Sequence, residues 1–267
     1  MADEREWIRV ARQGFVAIVT LDNAPLNVVT LGLTHALGRT LDQLAVDDTV
    51  RAVVLTGAGE RAFCAGSDIG EFHDLMAPGQ VVPKKLGRQN EIFAFLDHFP
   101  KPTVAAVAGL AFGGGLEIAA CCDLIVIEDV SRLALPEIKL GVFPSSGGPL
   151  RVTRRIGETR AKEMMLLGEP IDAATALSWG LVNRVVPQGQ SLATALQLAQ
   201  TLAQRPARAL ALCKRAIDLA LDGSEADAIR QSLAMSDQAF SSDECKEGVR
   251  AFFAKQSPVF TAIPLGQ

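Results

Sequence analysis

Apolar residues recur along this chain at two periods, and the change from one to the other sets out the predicted elements. Residues 15–21 (FVAIVTL), 51–56 (RAVVLT), 103–107 and 123–127 (DLIVI) are short runs rich in β-branched residues, and each reads as a strand. From Thr30 onward Leu33, Leu37, Leu41 and Leu44 fall on one helical face, and residues 86–98 repeat that spacing. Between these helices, residues 70–85 carry Pro78, Gly79, Pro83 and Lys84-Lys85, a pattern that predicts a mobile surface loop. After Pro149 helical periodicity dominates, with predicted helices at 158–167, 172–179, 190–204, 207–221, 224–240 and 244–255. Ser241 and Glu244 have the spacing of a capping box ahead of the last of these.

Strands therefore alternate with helices over the first two-thirds, and helices gather at the C-terminus. This is the signature of an α/β chain with a helical C-terminal portion. The longest apolar stretch, residues 104–127, is long enough to span a bilayer. It nevertheless contains Glu117, Asp123 and the triplet Gly113-Gly114-Gly115. An unpaired acid in lipid costs at least ~2.5 kcal/mol, so a strand, a glycine turn and a buried helix account for it better.

Composition narrows the function. The 267 residues are 49% hydrophobic and 21% charged, which suits one large packed domain, or one domain with a small appendage. A net charge of −4 without a basic block argues against nucleic-acid binding. The five cysteines, Cys64, Cys121, Cys122, Cys213 and Cys245, match no zinc template and read as buried, reduced thiols of a cytoplasmic protein. Residues 1–10 include Asp3, Glu4, Arg5 and Glu6, with no apolar signal-peptide core.

Candidate chemistry centres on acids in apolar surroundings. Glu117 follows the glycine triplet and heads the run 116–122, where glycine allows a sharp turn and backbone N–H groups at a helix start favour negative charge. Taken alone, the triplet also serves as a plain tight turn and Glu117 as a helix-start acid. Glu137 lies in the apolar segment 133–138 behind Pro136, ahead of the glycine-rich stretch 141–148. A pair of carboxylates in such surroundings suits water addition to a double bond, one activating water and the other moving a proton at carbon. The turn Cys64-Ala65-Gly66-Ser67-Asp68 offers a backbone N–H at Ser67, and Gly114 offers another; two such donors make an oxyanion hole. Asp68 also has the character of a helix N-cap. His35, His73 and His98 have no acid or nucleophile at useful spacing, Ser145 and Ser146 lack a G-x-S-x-G elbow, and Lys84, Lys85 and Arg88 read as a solvated patch.

In order and spacing, residues 63–69 (FCAGSDI), 109–117, 122–124, 136–138 (PEI), Gly141 and 180–182 (GLV) resemble the enoyl-CoA hydratase/isomerase (crotonase) superfamily, from Pro25-Leu26-Asn27 to Phe260. The resemblance implies a spiral of repeated ββα units, with a catalytic core at 1–195 and a helical C-terminal region at 196–267 that builds homotrimers or homohexamers. It implies hydration of a trans-2-enoyl-CoA to a 3-hydroxyacyl-CoA by Glu117 and Glu137, with the thioester oxygen held by the N–H groups of Ser67 and Gly114. It further implies substrate contacts from Ala65, Ser67, Asp68, Ile69, Gly70, Gly113 and Gly114, and from Phe252 and Lys255. No metal or other cofactor is implied, coenzyme A being part of the substrate. A 3-enoyl to 2-enoyl-CoA isomerase, another acyl-CoA reaction on this fold, or a non-catalytic acyl-CoA-binding subunit are the alternatives. Ser67 stands where alanine is frequent in the family, Gly70 where lysine is frequent, and 144–148 (PSSGG) replaces a more glycine-rich turn.

Overall fold

The computed structural model describes residues 6–262. Ten strands and ten α-helices follow one another in a repeating order. The strands are β1 (Ile8–Gln13), β2 (Val16–Leu21), β3 (Ala52–Gly57), β4 (Ala62–Cys64), β5 (Thr103–Val107), β6 (Leu110–Phe112), β7 (Leu124–Glu128), β8 (Arg132–Ala134), β9 (Ile171–Asp172) and β10 (Arg184–Val186). The helices of the first half are α1 (Leu31–Val46), α2 (Gly87–Asp97), α3 (Gly114–Ala120) and α4 (Gly148–Ile156). Those of the second half are α5 (Glu158–Leu167), α6 (Ala173–Ser178), α7 (Ser191–Ala203), α8 (Ala207–Asp218), α9 (Glu225–Phe240) and α10 (Asp243–Ala254).

Two sheets divide the strands. One runs β1-β2-β3-β5-β7-β10, parallel except for the β1–β2 hairpin; the other runs β4-β6-β8-β9, parallel except for β8–β9. Each of β3, β5 and β7 lies in the large sheet and is followed at once by a short strand in the small one, then by a helical segment. That is a ββα unit used three times, in agreement with the expected spiral. The crossings are tight: a Cβ on Gly57 would lie 2.3 Å from the Phe63 carbonyl oxygen, and one on Gly109 (φ +62) would lie 2.2 Å from that of Arg61.

Both faces of the large sheet are apolar, as parallel sheets require. Val53, Leu55, Ala105, Val107, Ile125 and Ile127 face the main core with α1, α2 and α3. Their neighbours Ala52, Val54, Val104, Ala106 and Val126 face Ala195, Ala199 and Ala203 of α7. Small residues one turn apart let α7 sit close to the strands, and Arg51 fastens its end by donating to the carbonyls of Ala203 (2.9 Å) and Arg205 (3.2 Å). The expected boundary at 195/196 thus falls inside α7, which by packing goes with the sheet. The remaining C-terminal helices are α8, α9 and α10.

Several expectations need correction. Residues 70–85 are not a structureless loop: they hold a 3₁₀ helix, Ile69–Leu75, and a π-helical turn, Val82–Leu86, that runs directly into α2. Lys85 is not solvated; it is buried and pairs with Glu71 at 2.6 Å. The cap of α10 is Ser242, whose hydroxyl accepts from the Cys245 N–H, and not Ser241. Glu244 serves α8 instead, accepting from the N–H groups of Arg208 and Ala209. All five thiols are free, but Cys213 is exposed and Cys245 half-buried. The apolar stretch 104–127 resolves into β5, β6, α3 and β7, and no helix among the described residues is long and apolar enough to cross a membrane.

Candidate active site

The site forms where the small sheet meets α3. The segment Leu26–Val29 fixes one wall. Leu26 accepts from the Ala65 N–H, while Val29 donates to the Gly66 carbonyl and accepts from the Asp68 N–H. In an extended strand successive backbone groups point to opposite sides, so bonding through Gly66 and Asp68 turns the Ser67 N–H away from Val29. Asn27, buried and with φ 54, holds this segment against the β3–β4 crossing through the carbonyls of Ala58 and Ala62. The Asp68 carboxylate caps the 3₁₀ helix by accepting from the Gly70 N–H at 2.9 Å, as its sequence position suggests. Ile69 lies exposed beside it.

The glycine triplet forms the opposite wall. Gly113 (φ 49) ends β6, donates to the Ala134 carbonyl and turns the chain into α3. Gly66 packs against it, since a Cβ on Gly113 would lie 3.6 Å from the Gly66 Cα. Gly115 lets α3 touch β4: a Cβ there would lie 2.0 Å from the Cys64 carbonyl oxygen. Gly114 is the first residue of α3, and first-turn N–H groups have no partner inside their helix. Neither the Ser67 nor the Gly114 N–H donates to a protein acceptor among the described residues. The Ser67 hydroxyl lies 3.6 Å from where a Cβ on Gly114 would be.

Both glutamates reach this place. Glu117, one turn into α3, is 3% exposed. Its Oε1 accepts from the N–H of Ser146 at 2.8 Å and of Gly148 at 2.9 Å. Burial pushes its carboxyl above the usual range, opposed by those two donors and by Arg151. Glu137 opens a 3₁₀ turn behind Pro136, and its Oε1 lies 2.8 Å from where a Cβ on Gly113 would be. Burial is the main cause raising its carboxyl to about 7; its own N–H pulls it down and the Glu117 charge pushes it further up. Glu137 Oε2 is buried without a partner. The Glu117 charge therefore adds to burial in favouring a protonated Glu137.

A scaffold unmarked in the sequence holds Glu117's donors. Gln89 and Asn90 of α2 donate to the Ser146 hydroxyl and the Ser145 carbonyl, each at 2.8 Å. Arg151 of α4 bridges Asp97 of α2 (2.7 Å) and the Ser146 carbonyl (3.1 Å). The serine pair that reads as featureless in sequence is thus part of the site. Phe252 and Lys255 are not brought in: both are exposed at the end of α10, and no hydrogen bond, ion pair or ring contact of the described residues joins them to the glutamates. His35, His73 and His98 are all exposed, outside this cluster.

Two free backbone donors on facing walls, with the buried Glu117 and the half-buried Glu137 beside them, define a class of enzyme that stabilises an oxyanion while moving protons. The family model for enoyl-CoA hydratase/isomerase matches residues 11–262, and the chain belongs to that family. It is 35% identical over 257 residues to the Mycobacterium tuberculosis protein named "Probable enoyl-CoA hydratase echA8", covering 96% of this chain and 98% of that one. The short-chain-enoyl-CoA hydratase of Clostridium acetobutylicum is 34% identical over 251 residues, covering 92% and 94%. The crystal structure of an enoyl-CoA hydratase from Bacillus anthracis superposes with a TM-score of 0.90 at 30% identity, covering 96% and 99%.

Proposed function

We propose that this chain is a hydro-lyase that adds water across the C2=C3 bond of a trans-2-enoyl-CoA to give a 3-hydroxyacyl-CoA. The observation that carries this reading is the pairing of a buried and a half-buried carboxylate, differently held, beside two free backbone N–H groups. Glu117, supplied with donors, works as the ionised base; Glu137, with only its own N–H, holds the proton bound for carbon. Water loses a proton to Glu117 as its oxygen bonds to C3. The C2=C3 electrons move towards the thioester, charge grows on its carbonyl oxygen, and the N–H groups of Ser67 and Gly114 receive it. Glu137 then delivers its proton to C2. Each oxyanion donor contributes about 10²–10³ in rate.

Coenzyme A enters as part of the substrate, and no metal or redox group has a part in these steps. Ala65, Asp68, Ile69, Gly70 and Gly113 line the acyl-CoA path around the two donors. Phe252 and Lys255 act on a neighbouring chain's coenzyme A in a homotrimer or a dimer of trimers. The exposed apolar residues of the C-terminal helices support assembly, and five free thiols suit the reducing cytoplasm.

The test is loss of the enoyl absorbance on incubation with crotonyl-CoA and longer enoyl-CoAs. Turnover is expected, and Glu117→Gln or Glu137→Gln is expected to abolish most of it while coenzyme A thioesters still bind. No turnover at any chain length, or conversion of a 3-enoyl-CoA alone, would overturn the reading.

A further inference from the structure

Only two buried side-chain polar atoms among the described residues lack a partner, Glu137 Oε2 and Gln89 Oε1, and both lie at this site. The first belongs to a reacting carboxylate. The second is unexplained by packing. Gln89 is 1% exposed, and a buried acceptor left without a donor costs about 1–3 kcal/mol. An apolar side chain of the same length would fill the space without that cost. The amide is therefore accounted for by what its NH₂ does, and its one bond is to the Ser146 hydroxyl at 2.8 Å.

Ser146 is the residue whose N–H donates to Glu117 Oε1. Its hydroxyl also lowers the Glu117 carboxyl. By holding that hydroxyl, Gln89 ties Ser146, and with it the N–H that donates to Glu117, to α2. Asn90 and Arg151 hold only backbone carbonyls of this segment, so Gln89 alone fixes the serine side chain.

We propose that Gln89 is a positioning residue for Glu117, acting through Ser146, whose hydroxyl it holds and whose N–H donates to the carboxylate. The charged and titratable groups around Glu117 are Glu137, Arg151, Asp97 and Cys121, none of which contacts Gln89 by a hydrogen bond or ion pair. Loss of Gln89 therefore changes Glu117 through the serine and not through charge.

The inference rests on the hydratase reading, and the experiment separates the two. In Gln89→Leu and Gln89→Met, kcat for crotonyl-CoA is expected to fall about tenfold, the effect of misplacing one donor to a charged group. KM should stay within about twofold, and Tm should be equal or higher. The rising limb of the pH–rate profile should move to higher pH, because a carboxylate that loses a donor holds its proton more tightly. Ser146→Ala should behave alike, and the double variant Gln89→Leu/Ser146→Ala should be no worse than the poorer single one. Unchanged kcat, a kcat loss matched by a lowered Tm, or additive losses would each overturn the proposal. If the wild-type chain hydrates nothing, the hydratase reading fails on its own. Gln89 is then judged by ¹³C-NMR titration of Glu117, assigned with Glu117→Gln, whose midpoint should still rise in Gln89→Leu.

Discussion

Glu137 shows how one side chain can be set by burial more than by its partners. Its carboxyl is raised to about 7, first by desolvation and then, against its own N–H, by the Glu117 charge. The folded chain thus holds this proton at pH values where the unfolded chain, near 4.5, has released it. The stability associated with the protonated form is complete below about 4.5 and is lost as pH rises to about 7. Glu137→Gln, which cannot ionise, is expected to raise Tm at about pH 8 and leave it nearly unchanged at about pH 4. Thermal melts at the two pH values check this, and equal shifts would refute it. Glu117→Gln removes a like charge, so Glu137 should then titrate at lower pH. Both glutamates were legible in the sequence because acids in apolar runs beside glycine and proline are conspicuous. Gln89, Arg151 and Asp97 were not: Gln89 meets Ser146 across 57 positions and Arg151 meets Asp97 across 54, contacts that no local pattern encodes.

Apart from β1 and α4, which the sequence pattern did not reveal, the elements divide by length into those it reveals and those it hides. The strands β2, β3, β5 and β7 and the helices α1, α2 and α5 to α10 carry enough residues for a period to appear. The strands β4, β6, β8 and β9 have two or three residues each, too few for alternation, and the first three exist because β3, β5 and β7 deliver the chain to the small sheet. That delivery depends on close backbone approach. Gly115→Ala would place a Cβ 2.0 Å from the Cys64 carbonyl, forcing α3 off β4. A loss of about 3 kcal/mol or more is expected, at the upper end of overpacking costs, with urea melts as the measure. The π-helical turn ahead of α2 has a different support. Lys85, 2% exposed, bonds Glu71, whose other oxygen accepts from the Leu31 N–H at the start of α1. Lysine is seldom buried, so its sequence pattern predicts a surface instead. Lys85→Met should cost about 3 kcal/mol, the low end for breaking a buried pair, since Glu71 stays partly open to water. Retained activity with an unchanged Tm would show the pair to be idle.

At the scale of the whole molecule, the described chain brings its two glutamates together but leaves Phe252 and Lys255 apart from them. Phe252 and Lys255 sit at the far end of α10, exposed, while Ile229, Leu233 and Phe240 of α9 and Phe253 of α10 add further apolar surface. So much exposed apolar side chain on helices that pack mainly on one another calls for a partner surface. Under the proposed assembly that partner is another copy, and sequence alone could not say whether an α10 residue meets its own site. If Lys255 serves a neighbour, Lys255→Glu should raise KM for crotonyl-CoA about tenfold by losing a charge-assisted contact, with little effect on kcat. Leu233→Asp should dissociate the assembly in sedimentation and raise KM in the same way. The decisive experiment mixes Glu117→Gln chains with Lys255→Glu chains after dissociation and reassembly. In a mixed oligomer, a chain with intact Glu117 receives an intact Lys255 from its neighbour, so activity at low substrate concentration returns. If Lys255 acted within its own chain, every site would lack one partner and mixing would restore nothing.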